Sequence, residues 1–175
     1  MRKFSEGLLN DNLILQTLNI SSGQAILDAG CGSGYMSKKF ANLVGELGRA
    51  YACDVDRGQI EILQKEFKDT NIEVFVGDIT KKTDFDDSSL DLIYLSTVFH
   101  IFSKDQVESF EKEVRRILKE NGLLAIVNID KKETPFGPPL EMRPSSQELR
   151  EKISLIPEKF LYVGEYFYLQ IFSNA

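Results

Sequence analysis

The stretch Leu27-Asp28-Ala29-Gly30-Cys31-Gly32-Ser33-Gly34-Tyr35 constrains this chain more than any other. Three glycines at alternate positions follow a short apolar run, Ala25 to Ala29, and precede a segment of helical spacing, Tyr35 to Val44. A strand that ends in glycines and feeds a helix lets a ligand approach the backbone, with the amides of the helix start facing it. The spacing departs from the dinucleotide fingerprint G-x-G-x-x-G, whose third glycine would stand where this chain has Tyr35. Asp28 precedes the first glycine by two residues, and an acid there suits a positively charged ligand better than a pyrophosphate.

Around this loop, strand and helix patterns alternate. Leu8 to Leu18 reads as an opening helix. Ala50 to Asp54 is a second strand, and Asp56 caps a helix with Ile60, Leu63 and Phe67 on one face. Ile72 to Val76 and Leu90 to Leu95 are the third and fourth strands. Ser103 with Gln106 forms a capping box for a helix carrying Val107, Phe110, Val114, Ile117 and Leu118, which Asn121-Gly122 ends through a left-handed glycine. Leu123 to Ile129 is nearly continuously apolar, as in a parallel sheet. Thr134 to Pro144 holds four of the five prolines and reads as a stiff substrate-side loop, over 131–144. Ser145 and Glu148 open one more capped helix, and Phe160 to Val163 and Tyr166 to Phe172 form a hairpin joined at Gly164. Five strands separated by helices imply a parallel α/β sheet with an antiparallel hairpin at its edge.

At 175 residues the chain has the length of one domain, with 1–20 as a short helical cap. Basic residues number 21 against 27 acidic ones, a net charge of −6 that argues against nucleic acid as partner. No apolar run is long enough for a membrane span, and Met1 to Asn12 has no secretory pattern. Cys31 and Cys53 lack metal-finger spacing and there is one histidine, so we expect no metal site and two free thiols in a reducing cytoplasm.

The glycine stretch closely resembles motif I, D-x-G-x-G-x-G, of the class I S-adenosylmethionine-dependent methyltransferases. Three further elements follow in order: Asp54 at the end of the second strand, Val76-Gly77-Asp78-Ile79 after the third, and Ser89-Leu90-Asp91-Leu92-Ile93-Tyr94, similar to motif IV. Gly122-Leu123-Leu124 resembles the entry to the fifth strand. The resemblance covers roughly 8–130 and is strongest to the small-molecule, ubiquinone/menaquinone-biosynthesis branch. It implies a three-layer α/β/α sandwich around a mostly parallel seven-stranded sheet, the Rossmann-like methyltransferase fold.

The resemblance also implies S-adenosylmethionine as cofactor and S-adenosylhomocysteine as product. Asp54 would accept from both ribose hydroxyls, with Val55 beside it. Asp78 would hold the adenine amino group and Ile79 pack on the ring, next to Gly77. Gly30, Cys31, Gly32 and Gly34 would contact the cofactor, Asp28 its amino group, and Tyr35 and Ser96 its surroundings. Each has a structural alternative: Asp28 as a turn cap, the glycines as turn residues, Asp78 as an Asx-type cap before Thr80, Tyr35 and Met36 as ordinary core. Asp91 reads as structural.

His100 and Asp130 are the candidate general bases, both just past strands whose carboxyl ends border the crevice of an open α/β sheet. His100 also reads as a packing or hydrogen-bonding residue, and Asp130, Glu141 and Arg143 read either as contacts to a polar substrate or as solvated charges of a stiff connector. The expected reaction is in-line transfer of a methyl group to a small-molecule acceptor. The alternatives are a non-catalytic binder of the same cofactor or a partner-dependent subunit, and, more remotely, an NAD(P)-dependent oxidoreductase. The hairpin edge offers one surface on which a homodimer could form.

Overall fold

Apolar runs and capped amphipathic segments build one sheet and its two covers. The computed structural model describes residues 5–175; the first four residues of the expected cap lie outside them. In chain order the elements are α1 (Asp11–Leu18), β1 (Ala25–Ala29), α2 (Tyr35–Val44), β2 (Arg49–Asp54), α3 (Arg57–Glu66), β3 (Ile72–Val76), β4 (Leu90–Ser96), α4 (Lys104–Ile117), β5 (Leu118–Ile129), α5 (Ser146–Lys152), β6 (Ile156–Gly164) and β7 (Phe167–Ser173). The strand order is β3-β2-β1-β4-β5-β7-β6. The first five strands are mutually parallel, β7 is antiparallel to β5, and β6 is antiparallel to β7. This is the Rossmann-like methyltransferase sheet with its hairpin edge.

Alternate residues of each strand face opposite covers. Ile26, Ala52, Leu92 and Val127 pack with Ile14, Phe40, Val44 and Ile60 from α1, α2 and α3. Leu27, Ile93, Leu95 and Ile126 pack with Phe110, Val114, Ile117 and Leu149 from α4 and α5. Phe40 and Phe110 are wholly buried, a gain of roughly 1.5–3 kcal/mol each over exposure. The expected capping boxes at Ser103/Gln106 and Ser145/Glu148 are both present, and Asp56 caps α3 by accepting from the Gln59 amide. Asp91 is structural: it accepts from the Ala25 amide at 2.8 Å and pairs with Lys119.

Four boundaries differ from the sequence reading. The opening helix starts at Asp11, because the Asn10 side chain caps it by accepting from the Leu13 amide. Helix α4 stops at Ile117, since Leu118 pairs with Leu90 as the start of β5. The left-handed residue there is Asn121, with φ 63°. Gly122 serves a close approach instead: a Cβ on it would lie 2.9 Å from the Lys119 carbonyl oxygen. The hairpin turns at Glu165 and Tyr166, after a first strand extended back to Ile156.

The fourth difference is the crossover from β3 to β4, residues 77–89, which contains no helix. Its Asp, Ser and Lys residues offer no apolar stripe. Phe85 covers the sheet there, edge-on to Tyr51 and Phe75. Arg116 of α4 clamps the crossover by donating to the Phe85 and Thr83 carbonyls and pairing with Asp87 and Glu113.

Candidate active site

The strand order reverses between β1 and β4, and the loops leaving their carboxyl ends part to open a crevice. Gly30, Gly32 and Gly34 shape the loop after β1, with φ 70°, 55° and 73°. A Cβ on Gly30 would meet Val98 at 2.7 Å, and one on Gly34 would meet the Phe67 ring at 2.9 Å. The loop thus needs glycine for its own backbone and packing as well as for any ligand. Gly34 caps α2 without a side-chain hydrogen bond, so no capping side chain takes up the first amides of that helix.

Asp54 ties the crevice together. Its Oδ2 accepts from the Gly32 amide and its Oδ1 from the Asp56 amide, both at 3.0 Å. Its carbonyl accepts from the Gly77 amide at 3.0 Å, and the Cys53 carbonyl accepts from the Cys31 amide at 2.8 Å. The loops after β1, β2 and β3 are therefore locked to one another. Each carboxylate oxygen accepts two bonds, so Asp54 keeps one acceptor position per oxygen.

The other expected residues gather around this frame. Asp28 is buried and accepts from the Ser37 hydroxyl of α2 at 2.6 Å. Val55 is exposed beside Asp54, while Ile79 is buried in the core below the crevice. Asp78 Oδ1 accepts from both the amide and the hydroxyl of Thr80, the Asx-type cap. Ser96 is buried at the end of β4. His100 is half-buried in a 3₁₀ turn, Phe99–Ile101, beyond that strand. Asp130 is held by its neighbours: Oδ1 accepts from the Lys131 amide, and Oδ2 lies 3.7 Å from the Lys132 ammonium. Both cysteines are free and buried, and burial pushes the Cys53 thiol up to about 12.

A matching family model spans residues 26–122 and describes a methyltransferase domain. This chain belongs to that family. The methyltransferase chain is 29% identical over 133 residues to an uncharacterized methyltransferase of Synechocystis sp., covering 73% of this chain and 58% of that one. It is 27% identical over 122 residues to the ubiquinone/menaquinone biosynthesis C-methyltransferase of Hahella chejuensis, covering 67% and 47%. The chain thus spans about half the length of the curated relatives it matches. A crystal structure of a SAM-dependent methyltransferase from Aquifex aeolicus superposes with TM-score 0.88 at 25% identity, over 99% of this chain and 94% of that one. Fold and relatives together place the chain in the class I, S-adenosylmethionine-dependent group.

Three features of the methyltransferase site escape the sequence reading. The segment Ser5–Asp11 lies across the crevice: the Ser33 hydroxyl donates to Glu6 at 2.5 Å, and the Tyr35 hydroxyl donates to Asp11 at 2.6 Å. Such bonds join residues more than twenty apart and leave no local pattern. Tyr94 of β4 brings a hydroxyl into the buried layer, and burial pushes its phenol well above the ordinary range. The signal was a tyrosine inside the apolar run 92–95. Arg143, only 5% exposed, is a staple of the proline loop and not a crevice cation. Its guanidinium donates to the carbonyls of Pro138, Lys132 and Phe136 and to the Thr134 hydroxyl. Phe136 anchors the same loop against Tyr166 and Phe167.

Proposed function

We propose that this chain transfers a methyl group from S-adenosylmethionine to a small-molecule acceptor at the β1/β4 crevice. The observation that carries the reading is the glycine loop bonded to Asp54 at the point where the strand order reverses. The donor set suits the cofactor: a carboxylate with two spare acceptor positions for a vicinal diol and an acid at the loop entrance for a cationic end. When bound, the cofactor supplies a methyl already activated on a sulfonium centre. The protein's own task is then to orient, to exclude water and, for a weakly acidic acceptor, to take a proton.

In this reading Asp54 and Val55 hold the ribose end, Gly77, Asp78 and Ile79 border the adenine, and Gly30, Cys31, Gly32, Gly34, Tyr35, Asp28 and Ser96 surround the amino-acid end. His100, half-buried just past the end of β4, is the base we favour over Asp130. The small acceptor draws support from relatives named for quinone biosynthesis. No helix among the described residues is long and apolar enough to cross a membrane. We place the protein in a reducing cytoplasm, where its two buried thiols stay free.

The test is release of S-adenosylhomocysteine from S-adenosylmethionine with a panel of phenols, quinols, amines and thiols. Acceptor-dependent release is expected. Tight cofactor binding with no release from any acceptor favours a binding module instead. His100→Gln should lower kcat on the order of a hundredfold on a phenol or carbon acid and abolish the acidic limb of its pH profile. An unchanged profile assigns His100 to packing.

A further inference from the structure

Outside the crevice, the crossover 77–89 and α4 enclose a depression of about 650 Å³. Lys81 and Lys82 reach it from the crossover, and Ser109 and Lys112, neighbours on one helix face, from α4. Arg116 and Glu113 complete the lining on the helix side. Four cationic side chains face one carboxylate there, a local positive excess on a chain whose net charge is −6.

Which of these donors are already committed decides what the depression can hold. Arg116 is committed: it donates to Glu113, Asp87 and the Thr83 and Phe85 carbonyls. Glu113 accepts from Arg116 and from the amide and hydroxyl of Thr83, so it is no counter-ion for the lysines. Lys81 has only a loose contact with Asp78, at 3.8 Å. Among the described residues, Lys82, Lys112 and the Ser109 hydroxyl have no hydrogen bond or ion pair. The backbone that carries the two crossover lysines is fixed on both sides. Asp78 accepts from the Thr80 amide and hydroxyl, its carbonyl accepts from the Lys81 amide at 3.0 Å, and Thr83 is tied to Glu113. A ligand therefore has only side chains to order. Three ammoniums and a hydroxyl around one concavity match a group with several close negative oxygens, the chemistry of a phosphate. The volume is that of a small-molecule site, and the net charge of −6 opposes an extended polyanion.

We propose that the depression between α4 and the crossover binds a small phosphorylated molecule, held by Lys81, Lys82, Lys112 and Ser109. Such a ligand bridges the crossover to α4 and adds to the clamp that Glu113 and Arg116 already form. The crossover opens with Gly77 and Asp78, which the reading above puts at the adenine. Occupancy of the depression therefore tightens the S-adenosyl ligand. That coupling rests on the S-adenosylmethionine reading; the phosphate site itself does not.

Calorimetry of the full chain with pyrophosphate as probe tests the site. Saturable one-to-one binding is expected, and Lys82→Ala with Lys112→Ala should weaken it on the order of tenfold or more, since charge-assisted hydrogen bonds are lost. Lys65→Ala with Lys68→Ala removes the same charge at α3, on the opposite cover, and should leave the affinity within about twofold. All four lysines are exposed, so Tm should hold in both variants; Lys112→Ala alone stands in if the first pair fails to fold. No saturable binding by the wild type, or the same affinity in both double variants, overturns the site. Binding of RNA or of phosphatidylserine vesicles without binding of pyrophosphate overturns the small-molecule ligand. With pyrophosphate saturating, S-adenosylhomocysteine should bind roughly fivefold tighter or more, and an unchanged affinity overturns the coupling. A protein that binds pyrophosphate as expected but no S-adenosyl ligand keeps the site and defeats the methyltransferase reading.

Discussion

Asp54, half-buried, and Arg143, buried, show how differently two charges serve the molecule. Asp54 spends one acceptor position of each oxygen on backbone amides and keeps one free, so it both builds the crevice and can hold a diol. Asp54→Ala should weaken S-adenosylhomocysteine on the order of a hundredfold, since two hydrogen bonds to a charged group are lost, and lower stability by about 1 kcal/mol. Calorimetry and thermal melts read the two effects separately; full affinity in the variant would remove Asp54 from the site. Arg143 spends its donors on loop carbonyls. Arg143→Met should cost about 3 kcal/mol by leaving those carbonyls unsatisfied, and Arg143→Lys should restore little because an ammonium lacks the planar fork. A Tm within a degree or so of wild type would contradict this staple. From the sequence, Asp54 was legible because its place after a strand is a local fact. Arg143 was not, since its partners belong to a loop whose path depends on Phe136 finding Tyr166 and Phe167.

Among the elements, α4 does the most to compensate for an absent helix. The crossover 77–89 has no helical stripe, and Glu113 with Arg116 holds it against the sheet. Burial alone would raise the Glu113 carboxyl, but hydrogen bonds from Arg116 and Thr83 outweigh it and hold the group below its ordinary value of 4.5. A depressed folded value means the stabilisation is complete above pH 4.5 and is lost as pH falls through the lower folded value. Glu113→Gln should therefore lower Tm at neutral pH and flatten the acid side of the stability curve; parallel acid limbs in the two proteins would sink the assignment. The capping boxes of α4 and α5 were readable because each is a local exchange of two bonds within four residues. The end of α4 was not, because Asn121-Gly122 is a plausible stop until the pairing of Leu118 with Leu90 claims the last turn for the sheet.

At the scale of the whole molecule, seven strands in the order β3-β2-β1-β4-β5-β7-β6 put four loops at one crevice. Apolar runs and glycine stops marked the strands and the terminal hairpin, whereas the strand order depends on long-range pairing that no local pattern carries. The sequence pattern also left out the segment Ser5–Asp11, which folds back over the glycine loop through Glu6 and Asp11 and contacts the hairpin through the Asn10 amide and Val163 carbonyl. The account stands on the crevice being built for an S-adenosyl ligand. The most direct measurement is calorimetric titration of the folded wild-type protein with S-adenosylmethionine, S-adenosylhomocysteine and NADPH. The account predicts saturable one-to-one binding of both S-adenosyl ligands, with none of NADPH. Saturable NADPH binding, or a flat titration with all three, would contradict it.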